Sequence, residues 1–495
     1  MDMLIGLVLL SVVFDSLLFI KIFWQFRLPI IIISTTFSIV AASFAAGYLD
    51  FTLVLLVGLI ILFRFIVFAR AIANRLHTNH LAQSTKRSIL ALDSSLLIFV
   101  LVISFFNGDI APFVLELTAV IQAVFAMTIF AFVVNSVVQT KYHEDSAHLS
   151  DSELPTVTVA IPARNETDDL KECIDTVLSS DYPKLEVLVL DDCSQGKKPP
   201  EVIKQHAHAG VRFLQGTPSP ENWLAKNHAY QQLADEATGS IIVFIGVDVR
   251  MSPTYLRKLI THMKLKQKRM ISVLPIRYQS NLLSGLVQPM RYWWELALPR
   301  KLLNRPAVLS TCWVIQKKVL QKLGSFHAVK KSVIPERYFA RECVKHDRYS
   351  FIRASEELDL RTTKQPKHQM HTAYRVRYPQ FRSRIESVLL YVLLLALLFV
   401  SPFFLLFVSL IFDNQLLLFL SSLSVLFLTL SHLIITTISH PANSLVAIIN
   451  LPLAVLSEMT LTIYSMLQYE FGSVIWKGRN ICLPVLSGQQ DTEGS

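Results

Sequence analysis

The chain has 495 residues, of which 52% are hydrophobic and 17% charged, and its mean hydropathy is +0.45. That balance excludes an ordinary soluble globule. Lys plus Arg number 47 against 37 for Asp plus Glu, a net charge of +10, but membrane chains keep basic residues on their cytoplasmic side, so the excess gives no argument for nucleic acid.

A membrane-spanning helix needs about 20 apolar residues. Runs approaching or exceeding this length occur near 3–23, 28–48, 51–69, 93–107 and 110–139. The first lacks a basic leader and a small-residue cleavage signature, and further runs follow it, so it is expected to remain as an anchor. Lys21 and Arg27 follow the first run, and Arg70, Arg75, Lys86 and Arg87 follow the third, whereas Asp50 and Asp109 mark the other side. This pattern puts the N-terminus outside and residues from Lys141 onward in the cytoplasm. Asp15, Arg64 and Glu116 fall inside runs, where an ionisable group turns toward the bundle interior, either as an interhelical pair or in a functional pathway.

Between 141 and 385 the apolar runs stop, and alternating strand-like and helix-like patterns describe one soluble domain. The runs resume at 387–411 and 416–437, and 445–470, with Pro452 and Glu458, reads as a third span or a re-entrant segment. The re-entrant reading leaves Lys477 and Arg479 inside. The expected organisation is a five-helix membrane block at 1–140, a cytoplasmic domain at 141–385, a second membrane block at 386–470 and a cytoplasmic tail at 471–495. It is that of a multi-pass protein of the cell (inner or plasma) membrane. The five cysteines contain no CxxC pair and indicate neither a disulfide framework nor a zinc site.

Within the domain, the β-branched run Thr156–Ile161 ends in Pro162-Ala163-Arg164-Asn165-Glu166. A helix follows, with Asp168 and Asp169 in its first turn and Leu170, Cys173, Ile174 and Val177 on its buried face. A second strand, Leu185–Leu190, ends in Asp191-Asp192-Cys193-Ser194, and a third, Ser240–Ile245, runs into Gly246-Val247-Asp248. Ligands bind such sheets at the carboxyl ends of the strands. Here those ends carry carboxylates instead of a glycine-rich phosphate loop, which argues against a dinucleotide fold. Carboxylates at such an edge suit a base or ribose, or a hard divalent cation beside a diphosphate.

Ile161–Glu166, Tyr182-Pro183, Val189–Ser194, Asn222-Trp-Leu-Ala-Lys226 and Gly246-Val-Asp248, in this order and spacing, resemble the family 2 glycosyltransferases. The closest resemblance is to the bacterial hopene-associated subgroup, similar also to carotenoid and ceramide glycosyltransferases. It covers about 155–385 plus the Trp476–Arg479 segment. It implies an α/β, GT-A-like nucleotide-diphospho-sugar transferase domain inserted between two groups of transmembrane helices. Residue by residue, it implies that Ala163, Arg164 and Glu166 form the nucleotide pocket and that Asp192 accepts from the ring N–H of the base. It puts Lys226 near the donor phosphates and makes Asp248 the ligand of Mg²⁺ or Mn²⁺. Gly246 stands where the family's first metal-motif aspartate is usual, and Ala225 where a glycine is usual.

Inverting transfer needs a carboxylate to deprotonate the acceptor. Two segments offer one. Ser332–Ala340 resembles the family's paired-acid segment, with Pro335 and Glu336 in place of the two acids, so Glu336 takes the base position. Ser355–Leu360 carries Glu356, Glu357 and Asp359, and its other reading is a solvated acidic turn. The register from Asn304 through Gly324 to His371–Tyr374 favours Glu336. One arginine of the basic stretch Tyr374–Arg384 is expected to offset leaving-group charge. Met290–Leu296, with Trp293 and Trp294, reads either as an interfacial helix or as core packing. The resulting expectation is a membrane-integral transferase that moves a sugar from a nucleotide-sugar donor to a membrane lipid. The departures at Gln195, Ala225, Gly246, Pro335 and Arg337 leave open a catalytically degenerate scaffold.

Overall fold

The structure is a computed structural model. It describes residues 2–17, 27–48, 110–143, 149–195, 198–277, 282–298, 305–381, 383–411, 413–471, 474–476 and 479–480. The expected spans at 51–69 and 93–107, with Arg64, and also Lys477 and Cys482, lie outside the described residues.

The contact pattern separates two units, Met1–Thr118 and Ala119–Ser495. In the first, α1 (Asp2–Leu17) packs against α2 (Arg27–Tyr48). Both are apolar, so packing between them gains little from hydrophobicity alone in lipid, and small polar side chains join them. Ser11 Oγ lies 2.7 Å from Ser38 Oγ. The Ser34 hydroxyl donates to Asp15 Oδ1 at 2.5 Å, which gives Asp15 an interhelical role. The helix α3 (Ile110–Thr140) follows.

The domain is built on a seven-stranded mixed sheet of order β3-β2-β1-β4-β8-β6-β9. Its strands are β1 (Val157–Ala163), β2 (Leu185–Asp191), β3 (Val211–Gln215), β4 (Ile241–Ile245), β6 (Met270–Leu274), β8 (Cys312–Gln316) and β9 (Tyr349–Arg353). The parallel strands β1, β2 and β4 are almost wholly buried, as continuous β-branched runs require when helices cover both faces. Between β1 and β2 lies α4 (Asp168–Leu178), which buries the expected Leu170, Cys173, Ile174 and Val177. After β2 come α5 (Lys198–Gln205) and β3, and then α6 (Ala225–Glu236) leads back to β4 on the opposite side of β1. The chain therefore reverses its direction of winding between β1 and β4. Such a switch point opens a crevice at the carboxyl ends of the strands.

A smaller sheet, β5-β10-β7, joins β5 (Val249–Met251), β10 (Leu360–Thr362) and β7 (Ile276–Arg277). It brings the segment after residue 360 against the end of β4. The helices α7 (Tyr255–Leu265), α8 (Leu282–Leu296), α9 (Lys317–Lys322), α10 (Pro335–Val344) and α11 (Pro366–Gln380) complete the domain.

Beyond it, α12 (Ile385–Leu395) continues through a π turn at Ala396–Val400 into α13 (Ser401–Ile411), and α14 (Gln415–Ser439) and α15 (Ala447–Phe471) follow. Pro402 has no N–H to donate to the preceding turn, and Gln122 Nε2 of α3 instead donates to the Leu397 carbonyl at 2.8 Å. Among the described residues, four helices are long and apolar enough to cross a membrane: Val114–Thr140, Ile385–Ile411, Gln415–Ser439 and Ala447–Glu470. The re-entrant reading of 445–470 needs a break in the chain. The structure has an uninterrupted helix there, with Pro452 inside it.

The domain and the helices after residue 385 lie in one compact unit, in which α8 packs on α14 and α15 and α11 packs on α15. Trp293 Nε1 donates to His432 Nδ1 at 3.0 Å, and His432 Nε2 lies 2.9 Å from Asn450 Oδ1. The Met290–Leu296 patch therefore turns Tyr292 and Trp293 inward as core.

Under the sheet, Trp313 is fully buried and stacks on Phe244 with ring centroids 4.5 Å apart. Trp313→Ala is expected to lower the stability of the domain by about 3–5 kcal/mol, read as an earlier urea midpoint for loss of tryptophan fluorescence in detergent.

Candidate active site

The carboxyl ends of β1 and β2 are in register, Ala163 opposite Asp191. Beyond them the two loops hold each other. Asp192 N–H donates to the Ala163 carbonyl at 2.8 Å. Arg164 Nη1 donates to the carbonyls of Asp192 at 2.5 Å and Cys193 at 2.7 Å, while its own N–H donates to Glu166 Oε2 at 2.5 Å. Asn165 and Cys193 have φ of +59° and +52°, left-handed conformations that side chains seldom adopt without outside support. That support is mutual: Asn165 N–H donates to Ser194 Oγ at 2.9 Å, and Gln195 N–H donates to Asn165 Oδ1 at 2.8 Å. Ala163, Arg164 and Asp192 are buried and Glu166 is half-buried. The guanidinium of Arg164 therefore shapes this turn.

At the end of β4, Asp248 leaves the same edge of the sheet. Its carbonyl accepts from Thr363 N–H at 2.9 Å, because β10 pairs with β5 directly after it. The pairing carries Lys364 Nζ to 3.9 Å from Asp248 Oδ2. Gly246 leaves the space that Asp248 uses, since a Cβ there would meet Asp248 Oδ1 at 2.6 Å.

Lys226 stands in the first turn of α6, 4.0 Å from Glu336 Oε2. Glu336 lies in the first turn of α10 behind Pro335, only 1% exposed, and its Oε2 has no hydrogen-bond partner. The loop that leads to it is held by Asn227, whose Nδ2 is 2.9, 3.1 and 2.8 Å from the carbonyls of Val329, Lys330 and Ser332. Lys226, Arg291, Glu336, Gln369 and Arg375 line a cavity of about 90 Å³.

The charges of this region act on one another. Burial pulls Lys364 down to about 8; Asp248 opposes that shift, and Arg291, Arg375 and Lys226 add to it. Burial likewise pulls Arg375 down to about 10, with Arg291 adding to the effect. Lys226 is lowered by burial against the opposing charge of Glu336. Asp248 and Glu336 thus belong to one electrostatic cluster with four cations, and Asp192 stands in the turn at the same sheet edge. The other acidic segment lies apart: Glu356 and Glu357 are exposed, and Asp359 Oδ1 accepts from Arg361 Nε at 2.7 Å.

Lys364, Arg291 and Asn227 were not legible as site residues. Only the position of Lys364 directly after the short alternating run at Leu360–Thr362 could have pointed to it.

Among the described residues no three His, Cys, Asp or Glu side chains gather to hold a metal ion. A single carboxylate that shares the ion with substrate phosphates is nevertheless a mode that Mg²⁺ uses, and Asp248 beside a cationic cavity fits it.

A doubly wound sheet whose switch point carries this crevice defines a GT-A-like α/β transferase domain. Residues 158–324 match the family described as Glycosyl transferase family 2. Over 102 residues the chain is 34% identical to Glycosyltransferase AglE of Haloferax volcanii, a match to 20% of this chain and 32% of that protein. The chain thus spans about a third of that curated relative. Among solved structures it is similar to the mannosyltransferase PcManGT of Pyrobaculum calidifontis in complex with GDP-Man and Mn²⁺. That match has 16% identity and a TM-score of 0.42, covering 71% of this chain and 96% of that one. A second is glucosyl-3-phosphoglycerate synthase of Mycobacterium tuberculosis with Mn²⁺, UDP and glucosyl-3-phosphoglycerate. It has 17% identity and a TM-score of 0.33, covering 48% and 84%.

A cluster of four cations suits a diphosphate. Because Lys364 is charged only below about 8, calorimetric affinity for inorganic pyrophosphate is expected to fall as pH rises through that value. Lys364→Gln should bind more weakly and lose this pH step.

Proposed function

We propose that the protein is a membrane-integral, inverting glycosyltransferase that moves a sugar from a nucleotide-sugar donor to a lipid in the cytoplasmic leaflet of the cell membrane. The observation that carries this reading is Glu336: a buried carboxylate with one oxygen unpartnered, lining a cavity with Lys226, Arg291 and Arg375. An unspent acceptor in a cationic cavity suits a general base that receives a proton only when an acceptor hydroxyl arrives. Lys226 Nζ stands 4.0 Å from that oxygen.

In this reading Ala163, Arg164 and Glu166 shape the nucleoside pocket and Asp192 accepts from the base. Arg164 acts there as a positioning residue through its contacts to the Asp192 and Cys193 carbonyls. Lys226, Lys364, Arg291 and Arg375 hold the diphosphate and stabilise it as it leaves. Asp248 would hold Mg²⁺ or Mn²⁺, which supplies further charge neutralisation to the diphosphate. The nearby helices long and apolar enough to cross a membrane make a lipid the natural acceptor, and an isoprenoid- or hopanoid-, carotenoid- or sphingolipid-like molecule stands within that class.

A transfer assay with labelled nucleotide sugars and extracted lipids tests the assignment. Glu336→Gln is expected to slow transfer by roughly 10²–10⁴-fold while donor affinity stays within a few fold. Asp248→Ala should abolish donor turnover with an unchanged thermal unfolding midpoint. Wild-type rates in either variant would remove the role given to that residue. If no nucleotide sugar binds the wild-type protein, the degenerate scaffold is the better reading.

A further inference from the structure

A second cavity, of about 440 Å³, shares Trp294, Arg305, Arg377 and Gln380 with the cavity of Glu336. Its body is apolar, walled by Phe125, Leu394, Leu395, Leu398 and Phe399 from α3, α12 and the turn that follows it. Arg305 and Arg377 stand where the two cavities meet, with Arg337 beside them in the wall of the second, and each of the three has a buried Nε with no hydrogen-bond partner. Two carboxylates face them. Glu295 Oε1 lies 3.7 Å from Arg305 and 3.9 Å from Arg337, both beyond hydrogen-bonding distance, and Glu458 pairs with Arg377 at 2.6 Å. The throat therefore holds more guanidinium than carboxylate, with donor capacity unspent. Burial and the neighbouring Arg305 lower the pKa of Arg337, as expected where cations are crowded without enough counter-charge.

Along the joined cavities the chemistry runs in a fixed order: an apolar chamber, a cationic throat, then the unpartnered carboxylate of Glu336. A glycerophospholipid with a hydroxylated head group has the same order of parts, namely acyl chains, an anionic phosphodiester and a hydroxyl. We infer that the acceptor is a lipid of this kind, its chains in the Phe125–Phe399 chamber, its phosphodiester among Arg305, Arg337 and Arg377, and its head-group hydroxyl toward Glu336. This rests on the proposed lipid-acceptor transferase and puts a phosphodiester lipid in place of the hopanoid-, carotenoid- or sphingolipid-like acceptor. A neutral lipid leaves the throat uncompensated. A lipid monophosphate ends at the throat and brings no hydroxyl to the base.

The test uses the full chain in phosphatidylcholine nanodiscs, with binding of phosphatidylglycerol, diacylglycerol and a polyisoprenyl monophosphate compared by native mass spectrometry, and pyrophosphate affinity measured in parallel. Phosphatidylglycerol is expected to bind at least tenfold more tightly than diacylglycerol. Losing one guanidinium–phosphate bond in Arg337→Gln should weaken it by roughly tenfold or more without changing pyrophosphate affinity, and Arg337→Lys should recover part of the loss. Leu398→Trp, which fills the chamber and leaves every charge in place, should also block the phospholipid. Equal retention of diacylglycerol, preference for the polyisoprenyl monophosphate, or unaltered phosphatidylglycerol affinity in both Arg337→Gln and Leu398→Trp would overturn the inference. Sugar transfer to a neutral lipid would overturn it while leaving the transferase reading intact.

Discussion

The buried ion pair between Arg377 and Glu458, 2.6 Å apart with side chains 8% and 2% exposed, joins the chemistry of the domain to its membrane helices. Such a pair contributes little net stability, but removing one partner strands the other charge and costs about 3–5 kcal/mol. It is reinforced on both sides. Tyr378 N–H donates to Ser465 Oγ at 3.0 Å, and Tyr469 OH donates to the Arg375 carbonyl at 2.8 Å. The helix α11 is thereby strapped along α15, and α11 carries Gln369 and Arg375 into the cavity of Glu336. The position of Arg375 in the cationic cavity is thus set by α15.

A second constraint is the crowding of like charge. Arg291 and Arg375 add to the lowering of both Lys364 and Lys226, an arrangement that favours occupancy by an anion. Two acids offset this only in part, Asp248 facing Lys364 and Glu336 facing Lys226, while Glu356 and Glu357 stay in solvent. The glycine at 246 fits this economy of charge, because Asp248 itself occupies the space beside it.

Strand type and strand ends were legible because burial imposes them locally. The β-branched runs at 156–161, 185–190 and 240–245 can bury both faces only inside a parallel sheet, and the observed strands differ from them by no more than two residues at any end. The buried face of α4 followed from spacing alone. What pairs across long separations was not legible. Lys364 reaches Asp248 through a three-residue strand too short to announce itself, and Arg291 sat in a patch whose two tryptophans drew attention to packing. Glu458 looked like a reason to interrupt a span. In the structure it is neutralised by Arg377, which lets the helix run on, and nothing local in 445–470 encodes that partner.

The pairing of β10 with β5 also dictates an order of assembly. Strands β1, β2 and β4 with Asp192 and Asp248 are complete once the chain has been made as far as residue 248, yet Lys364 and Arg375 lie more than a hundred residues later. A nascent domain leaving the ribosome therefore presents its acidic edge long before most of the clustered cations exist. Closing that loop is entropically slow compared with forming the local βαβ unit. The cluster of cations is consequently complete only after the last short strand has docked.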